Sequence, residues 1–228
     1  MLTVATWNVL HRVHAENYAE PVAVRWPDEA ARTAAIVAVL TARPERVIAL
    51  QEVSGDLLAA LRGSRFTVHA FRYPRIPEVR RADPGLRDGA EYLAVLTSGP
   101  ARVVAGEAFA GDPGKGFLAV ALDGTLVVST HVGFGPAAVW QLPRLAALAA
   151  ERTVLLGDFN ATAAVVAAGL GPRFTIAALE PGSLPTRPGA RSGTIDHVAV
   201  RGATVDPARV EDAGGRSDHN LLSAAVRW

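Results

Sequence analysis

Val154-Leu155-Leu156-Gly157-Asp158-Phe159-Asn160 is the stretch on which the rest of the chain turns. Three apolar residues predict a buried strand, and a glycine ends it. Two polar side chains then follow at i and i+2. In an extended chain, residues two apart share a face. Asp158 and Asn160 are therefore expected to look together beyond the strand end, with Phe159 turned back into the body. A carboxylate there can orient or deprotonate water, and an amide can donate to a phosphate oxygen.

The chain around this stretch has 228 residues, half of them hydrophobic and 20% charged. That is an ordinary globular composition, long for one domain but sufficient to bury a large core. We expect residues 1–228 to form a single domain. The formal net charge is +1, so no global field attracts nucleic acid, and an anionic substrate must be held locally. Cysteine is absent, which excludes disulfides, thiolate zinc sites and cysteine nucleophiles. Met1 to Leu10 lacks the basic region of a signal peptide and is expected to be the first strand. No apolar run approaches the ~20 residues of a membrane span. A soluble, cytoplasmic monomer without membrane insertion is the expectation.

Working outward, apolar alternation predicts strands over 2–9, 47–50, 66–71, 92–97, 102–105, 117–122, 125–130, 195–200 and 221–226. Asp123-Gly124 is a hairpin turn between two of them. Helices are expected from Asp28 to Leu40, from Ser54 as N-cap to Leu61, over 163–168, and over 136–150. The last carries Val139, Leu142, Leu145 and Leu148 as its buried stripe. Residues 10–27 and 181–193 are expected to be loops. Residues 72–90, with Arg72, Arg75, Arg80, Arg81 and Arg87, form a basic loop that is either an anion-binding rim or, more commonly for such runs, a solvated surface. Strands outnumber helices and hairpins interrupt the βα units, so two packed sheets with helices outside fit better than a doubly wound parallel sheet.

Polar residues stand where the apolar strands end: Asn8, Glu52, His131, Asp158, Asn160, Asp196 and His197, with Asp218 and His219 just before the last strand. Strand ends converge on one cleft. The inventory is carboxylates, amides and imidazoles with no elbow serine, which suits metal-assisted attack of water on a phosphate.

Thr6-Trp7-Asn8, Gln51-Glu52-Val53, Thr130-His131, Gly157-Asp158-Phe159-Asn160, Thr194-Ile195-Asp196-His197 and Ser217-Asp218-His219 resemble the motifs of the endonuclease/exonuclease/phosphatase superfamily, in order. These are DNase I-like and exonuclease III-like metal-dependent phosphohydrolases. The resemblance runs across residues 6–219 and implies an α/β (α+β) four-layer sandwich, two packed mixed β-sheets flanked by helices. It implies a Mg²⁺-dependent phosphodiester hydrolase, with Mn²⁺ as substitute, acting on DNA or RNA. By the same resemblance Glu52, Asn8 and Asp218 serve the metal. Asp158 orients or deprotonates the attacking water, Asn160 holds a phosphate oxygen, His131 is the second active-site histidine, and His219, oriented by Asp196, stabilises the developing charge or serves as general acid/base. His197 is expected to face away.

The family's mid-chain tyrosine and cationic residue are matched less firmly, by Tyr92 and Lys115. Arg12 is a further candidate substrate contact. Glu91 or Asp88 is an alternative partner for His131, and an exposed turn lysine is an equal alternative for Lys115. Gly114-Lys115-Gly116 is not a Walker A loop, because no Ser or Thr follows the lysine. Asn160-Ala161-Thr162 matches a glycosylation sequon, but Asn160 is better explained at the site. Two other functions stay open: the same chemistry on an inositol phosphate or sphingomyelin-like lipid, and a binding module without catalysis.

Overall fold

The computed structural model describes residues 1–81, 85–190 and 192–228; part of the basic loop (82–84) and Arg191 lie outside the described residues. In chain order the elements are β1 (Leu2–Asn8), α1 (Arg12–Asn17), α2 (Pro21–Arg25), α3 (Glu29–Thr41), β2 (Val47–Ser54) and α4 (Gly55–Leu61). Then come β3 (Thr67–Arg72), β4 (Glu91–Thr97), β5 (Arg102–Phe109), β6 (Asp112–Leu122), β7 (Thr125–His131), α5 (Ala138–Leu148), β8 (Thr153–Asp158) and α6 (Ala163–Leu170). The last are β9 (Thr175–Ile176), β10 (Asp196–Arg201), β11 (Thr204–Val205), β12 (Arg209–Glu211) and β13 (Leu221–Arg227). One sheet runs β11-β13-β1-β2-β4-β3, with β12 also on β13; the other runs β5-β6-β7-β8-β10-β9. Both are mixed, with parallel pairs β1–β2 and β7–β8 among antiparallel neighbours.

Strand alternation sorts the side chains into layers. Leu2 and Val4 of β1, Val47 and Ala49 of β2, and Leu93 and Val95 of β4 face Leu118 and Val120 of β6, Val154 and Leu156 of β8, and Val198 and Val200 of β10 across the gap between the sheets. The opposite faces take the helices. Trp7, Ile48, Leu50, Ala94 and Leu96 pack with Ile36, Leu40, Leu57 and Leu61 of α3 and α4. Val128, Leu155 and Phe159 pack with Leu142, Leu145, Val166 and Leu170 of α5 and α6. This is the four-layer sandwich that the mixed strand order predicts.

Helix starts follow local chemistry. Asp28 Oδ1 accepts from Ala30 N at 2.9 Å and Ser54 Oγ from Leu57 N at 3.2 Å, both side-chain caps. The expectation of a loop over 10–27 is corrected to two short helices. Pro21 opens α2, and α1 is capped by a histidine ring: Val13 N donates to His11 Nδ1 at 3.2 Å. Histidine is not a usual cap, so the start is hard to see in sequence.

The expected strands over 102–105 and 117–122 are the open end of a longer hairpin, β5–β6. In α5 the buried stripe is Ala138, Gln141, Leu142 and Leu145, while Val139 is 76% exposed. A polar residue fills a core position because its amide is satisfied there: Gln141 Oε1 accepts from Gly133 N at 2.7 Å and Nε2 donates to Asp112 Oδ2 at 3.2 Å. Among the described residues no helix is long and apolar enough to cross a membrane.

Candidate active site

The candidate site is written in strand register. Gly116, His131, Asp158 and Asp196 are aligned across β6, β7, β8 and β10 as one row of Cα partners. Each stands two residues beyond, or before, an inward-facing residue, so the row continues the inter-sheet face into its mouth. Gly157 makes this closeness possible: with φ at 151°, a Cβ there would lie 2.0 Å from the carbonyl oxygen of Thr130. Facing the row, Asn8 extends the inward series Leu2, Val4, Thr6.

Glu52 breaks the alternation. Counting by twos from Ile48 and Leu50, it would join the helix-facing layer. The β2–β4 register shifts between Leu50 and Val53, and Glu52 takes a left-handed φ of 58°. This bulge turns its side chain toward the cleft. Asn160 (φ 48°) and Leu10 (φ 56°) are also left-handed non-glycine residues. Such conformations cost about 1 kcal/mol or more each and cluster at functional sites.

Asn8 joins the two sheets' carboxylates: Nδ2 donates to Glu52 Oε1 at 3.0 Å and to Asp158 Oδ2 at 3.1 Å. His11 N donates to Glu52 Oε2 at 3.1 Å. His131 Nε2 lies 3.2 Å from Asp158 Oδ2 and 3.9 Å from Glu52 Oε1, and it touches Lys115 Nζ. Asp158 Oδ1 accepts from Asn160 N at 2.9 Å, and Asn160 Nδ2 donates to Val132 O at 2.8 Å, leaving the buried Asn160 Oδ1 without a partner. His219 Nδ1 is 2.9 Å from Asp196 Oδ2, and its Nε2 is 3.9 Å from Asp158 Oδ2. Ser217 Oγ donates to Asn8 O at 2.6 Å and accepts from His219 N at 3.1 Å, tying the histidine loop to β1.

These contacts set the charges. Burial by itself disfavours an ionised Asp158, yet His131, His219 and Lys115 outweigh it and hold the carboxyl well below the usual range. Glu52 behaves alike: burial is opposed by His14, His131, Lys115 and the Asn8 hydrogen bond, which hold it well below normal. For His219 burial favours the neutral ring, but Asp196 and Asp158 push its pKa up to about 10. The site is thus a pair of buried carboxylates facing a fixed imidazolium.

The cleft has a volume of about 430 Å³. Glu52, Lys115, His131, Asp158, Asn160, Asp218 and His219 line it, and Asn8 and Asp196 support it from behind. Tyr92 and Arg12 are not placed in it. Tyr92 alternates outward with Ala94 and Leu96 and packs on the α3–α4 layer; its neighbours Glu91 and Leu93 face inward. Arg12 is buried, paired with Glu16 and bonded to the Trp26 carbonyl, so it braces α1 and α2. Neither alternative partner for His131 meets it: Glu91 contacts His14 and Arg75, and Asp88 Oδ1 accepts from Ala90 N. His197 faces away, its Nε2 2.8 Å from Ala161 O, and burial lowers its pKa.

Sequence reasoning missed His14, Asp112 and Arg187 as cleft residues and left Arg75 undecided. Arg75 is the arginine of the basic loop that lines the cleft. Its signal, arginine clustering, does not distinguish it from Arg72, Arg80, Arg81 and Arg87. Arg187 Nη2 lies 2.8 Å from Asp218 Oδ2 and 3.6 Å from Glu20 Oε1.

Which residues suit a divalent ion follows from donor chemistry. Ligand atoms of Asp158, Asp196 and His219 lie within 4.8 Å of one another. That spacing suits a metal ion, and the same two carboxylates hold the His219 ring in place. Glu52 presents a carboxylate to the cleft, and Asp218 Oδ1 is buried without a hydrogen-bond partner. Such oxygen donors fit a hard divalent cation.

A family model described as the Endonuclease/Exonuclease/phosphatase family matches residues 5–219. Several solved structures share the fold. A functionally unknown conserved protein from Enterococcus faecalis V583 is 18% identical, with a TM-score of 0.68 and 99% of each chain covered. TDP2 from D. rerio, complexed with single strand DNA product, is 15% identical with a TM-score of 0.67, covering 100% of this chain and 99% of that one. The human Nocturnin catalytic domain with bound sulfate anion is 16% identical with a TM-score of 0.65, covering 99% and 92%. No curated protein sequence matches this chain.

Proposed function

The chain belongs to the endonuclease/exonuclease/phosphatase family of metal-dependent phosphoric ester hydrolases, and we propose that it is a Mg²⁺-dependent nuclease that hydrolyses a phosphodiester by direct attack of water. One observation carries this reading: Asp158 stands between His131, its neighbour in the strand row, and His219 of the loop before β13, with Glu52 opposite and Asn8 bridging the two acids.

Glu52, with Asp218 beside it and Asn8 as its orienting amide, would hold Mg²⁺ or Mn²⁺. A bound ion of this kind polarises the scissile phosphate and neutralises developing charge. Asp158 accepts a hydrogen bond from the attacking water and aligns it with phosphorus. A carboxyl held so far below its normal pKa stores a proton poorly, so alignment outweighs deprotonation. The water's oxygen bonds to phosphorus and the ester P–O bond breaks; the water's proton passes by Asp158 to solvent, and the departing alkoxide oxygen takes a proton from solvent. His219, an imidazolium fixed by Asp196, donates to a phosphoryl oxygen and keeps its proton through turnover. Asn160 and Lys115 hold the remaining oxygens. Preorganised donors of this kind supply a large part of such rate enhancements, and removing one costs about 10²–10³ in rate.

The DNA bound to TDP2 from D. rerio supports nucleic acid as the substrate class. A small phosphate ester is the second reading. It is favoured by the net charge of +1 and by cationic groups gathered in a cleft of about 430 Å³ instead of along a surface stripe. The test is a substrate panel in Mg²⁺ or EDTA: plasmid, single-stranded oligonucleotides, an abasic duplex, RNA and inositol phosphates. Metal-dependent cleavage of a nucleic acid that disappears in Asp158→Asn is expected. Turnover of inositol phosphates alone would replace this reading with the second.

A further inference from the structure

At one end of the cleft two cations share one buried acid. His14 Nε2 lies 3.2 Å and Arg75 Nη2 3.1 Å from the same oxygen, Glu91 Oε2. Glu91 is fully buried, and its other oxygen has no hydrogen-bond partner. Sealing a carboxylate away from water is costly unless it is paired. Here the pairing fixes a histidine from α1 and an arginine from the loop after β3 side by side. Gly114 leaves room for the arginine: a Cβ there would lie 2.2 Å from Arg75 Cζ, and the guanidinium would have to shift.

The three groups do not cancel. One carboxylate faces a guanidinium and an imidazole whose pKa is raised, burial being outweighed by Glu52 and Glu91. Of the other acids that line the cleft, Glu52 accepts from Asn8 Nδ2 and His11 N, Asp112 accepts from Gln141 Nε2 at 3.2 Å, and Glu20 Oε1 lies 3.6 Å from Arg187 Nη2. Arg75 is 41% exposed at its side chain and lines the cleft, as Lys115 does, with one of its donors spent on Glu91. A surplus of oriented donors on a rigid buried base is what a phosphate oxygen requires, and a guanidinium presents them in a fork that matches it.

We propose that His14 and Arg75, seated on Glu91, form a second anion subsite that takes a phosphomonoester group carried by the substrate, beside the phosphodiester being hydrolysed. This deepens the nuclease reading and rests on it. The substrate is then a nucleic-acid end bearing a terminal phosphate, and the subsite sets where along the strand cleavage occurs.

The experiment compares the dinucleotide dTpdT with its 5′- and 3′-phosphorylated forms. Binding is measured calorimetrically in EDTA, and cleavage is measured in Mg²⁺. One phosphorylated form is expected to bind wild type about tenfold more tightly than dTpdT, the worth of one charge-assisted phosphate contact. Arg75→Ala and His14→Gln are each expected to bring that ratio toward one, with the thermal midpoint confirming the fold. Equal binding of all three dinucleotides by wild type, or a ratio that survives in both variants, would overturn the subsite. Binding preference without any cleavage overturns the nuclease assignment and leaves the subsite standing; cleavage without preference overturns the subsite alone.

Discussion

Asp196→Asn isolates the charge that keeps His219 protonated. Asp196 is fully buried, and its Oδ2 lies 2.9 Å from His219 Nδ1, whereas Asp158 Oδ2 lies 3.9 Å from Nε2. The rise of His219 from 6.5 to about 10 corresponds to about 5 kcal/mol in favour of imidazolium. Asp196 is the nearer acid and supplies the larger share. An asparagine keeps the shape and can still accept from Nδ1–H, so the ring stays in place while the charge goes. Losing one adjacent opposite charge lowers a pKa by about 1–3 pH units, which moves the His219 titration to about pH 7–9. The assay is kcat/KM against pH in saturating Mg²⁺. At pH 6 the ring is still cationic in the variant, and activity should stay within about tenfold of wild type. Above the new pKa it should fall about tenfold per pH unit, while wild type holds its rate to distinctly higher pH. An alkaline limb unchanged by the substitution, or an equal loss at every pH, would refute the role given to His219⁺.

The same histidine links stability to pH. Its folded pKa lies above the unfolded value, so its contribution is complete below pH 6.5 and lost as pH rises through about 10; thermal midpoints of wild type and His219→Gln should converge across that window. Glu52→Gln should weaken metal activation by at least the about 10–100-fold seen for groups behind a ligand, read from the Mg²⁺ dependence of the rate and from Mn²⁺ binding by EPR. Gly157→Ala drives a Cβ into the Thr130 carbonyl at 2.0 Å; a stability loss of about 3 kcal/mol or more in urea unfolding is expected, and a neutral result would mean that β7 and β8 can separate. Arg32→Ala strips donors from the carbonyls of Val9, Leu10 and Arg216 and leaves buried Glu29 with only Arg12 Nη1, 3.6 Å from its Oε2. A loss of about 3–5 kcal/mol should follow.

The sequence by itself determined the layers and most of the chemistry. Period-two alternation over β1 and β10 and the short apolar run of β8 identify buried strands, and a polar residue where each apolar run stops identifies the cleft, because a strand end is where a side chain can leave the core without leaving the fold. Asp158, Asp196, His131 and His219 are legible on that basis. Only the tertiary structure decided which face of a strand is inside. Alternation marks two faces of β4 without saying which meets the other sheet, so Tyr92 and Glu91 exchange roles once packing is known. It also cannot announce a bulge: Glu52 reaches the cleft because one left-handed residue shifts the register of β2, a local departure stabilised by partners far away in sequence. His14, Arg75 and Glu91 come from a helix, a loop and a strand with no common motif, and their meeting depends on how those three elements pack around one buried carboxylate.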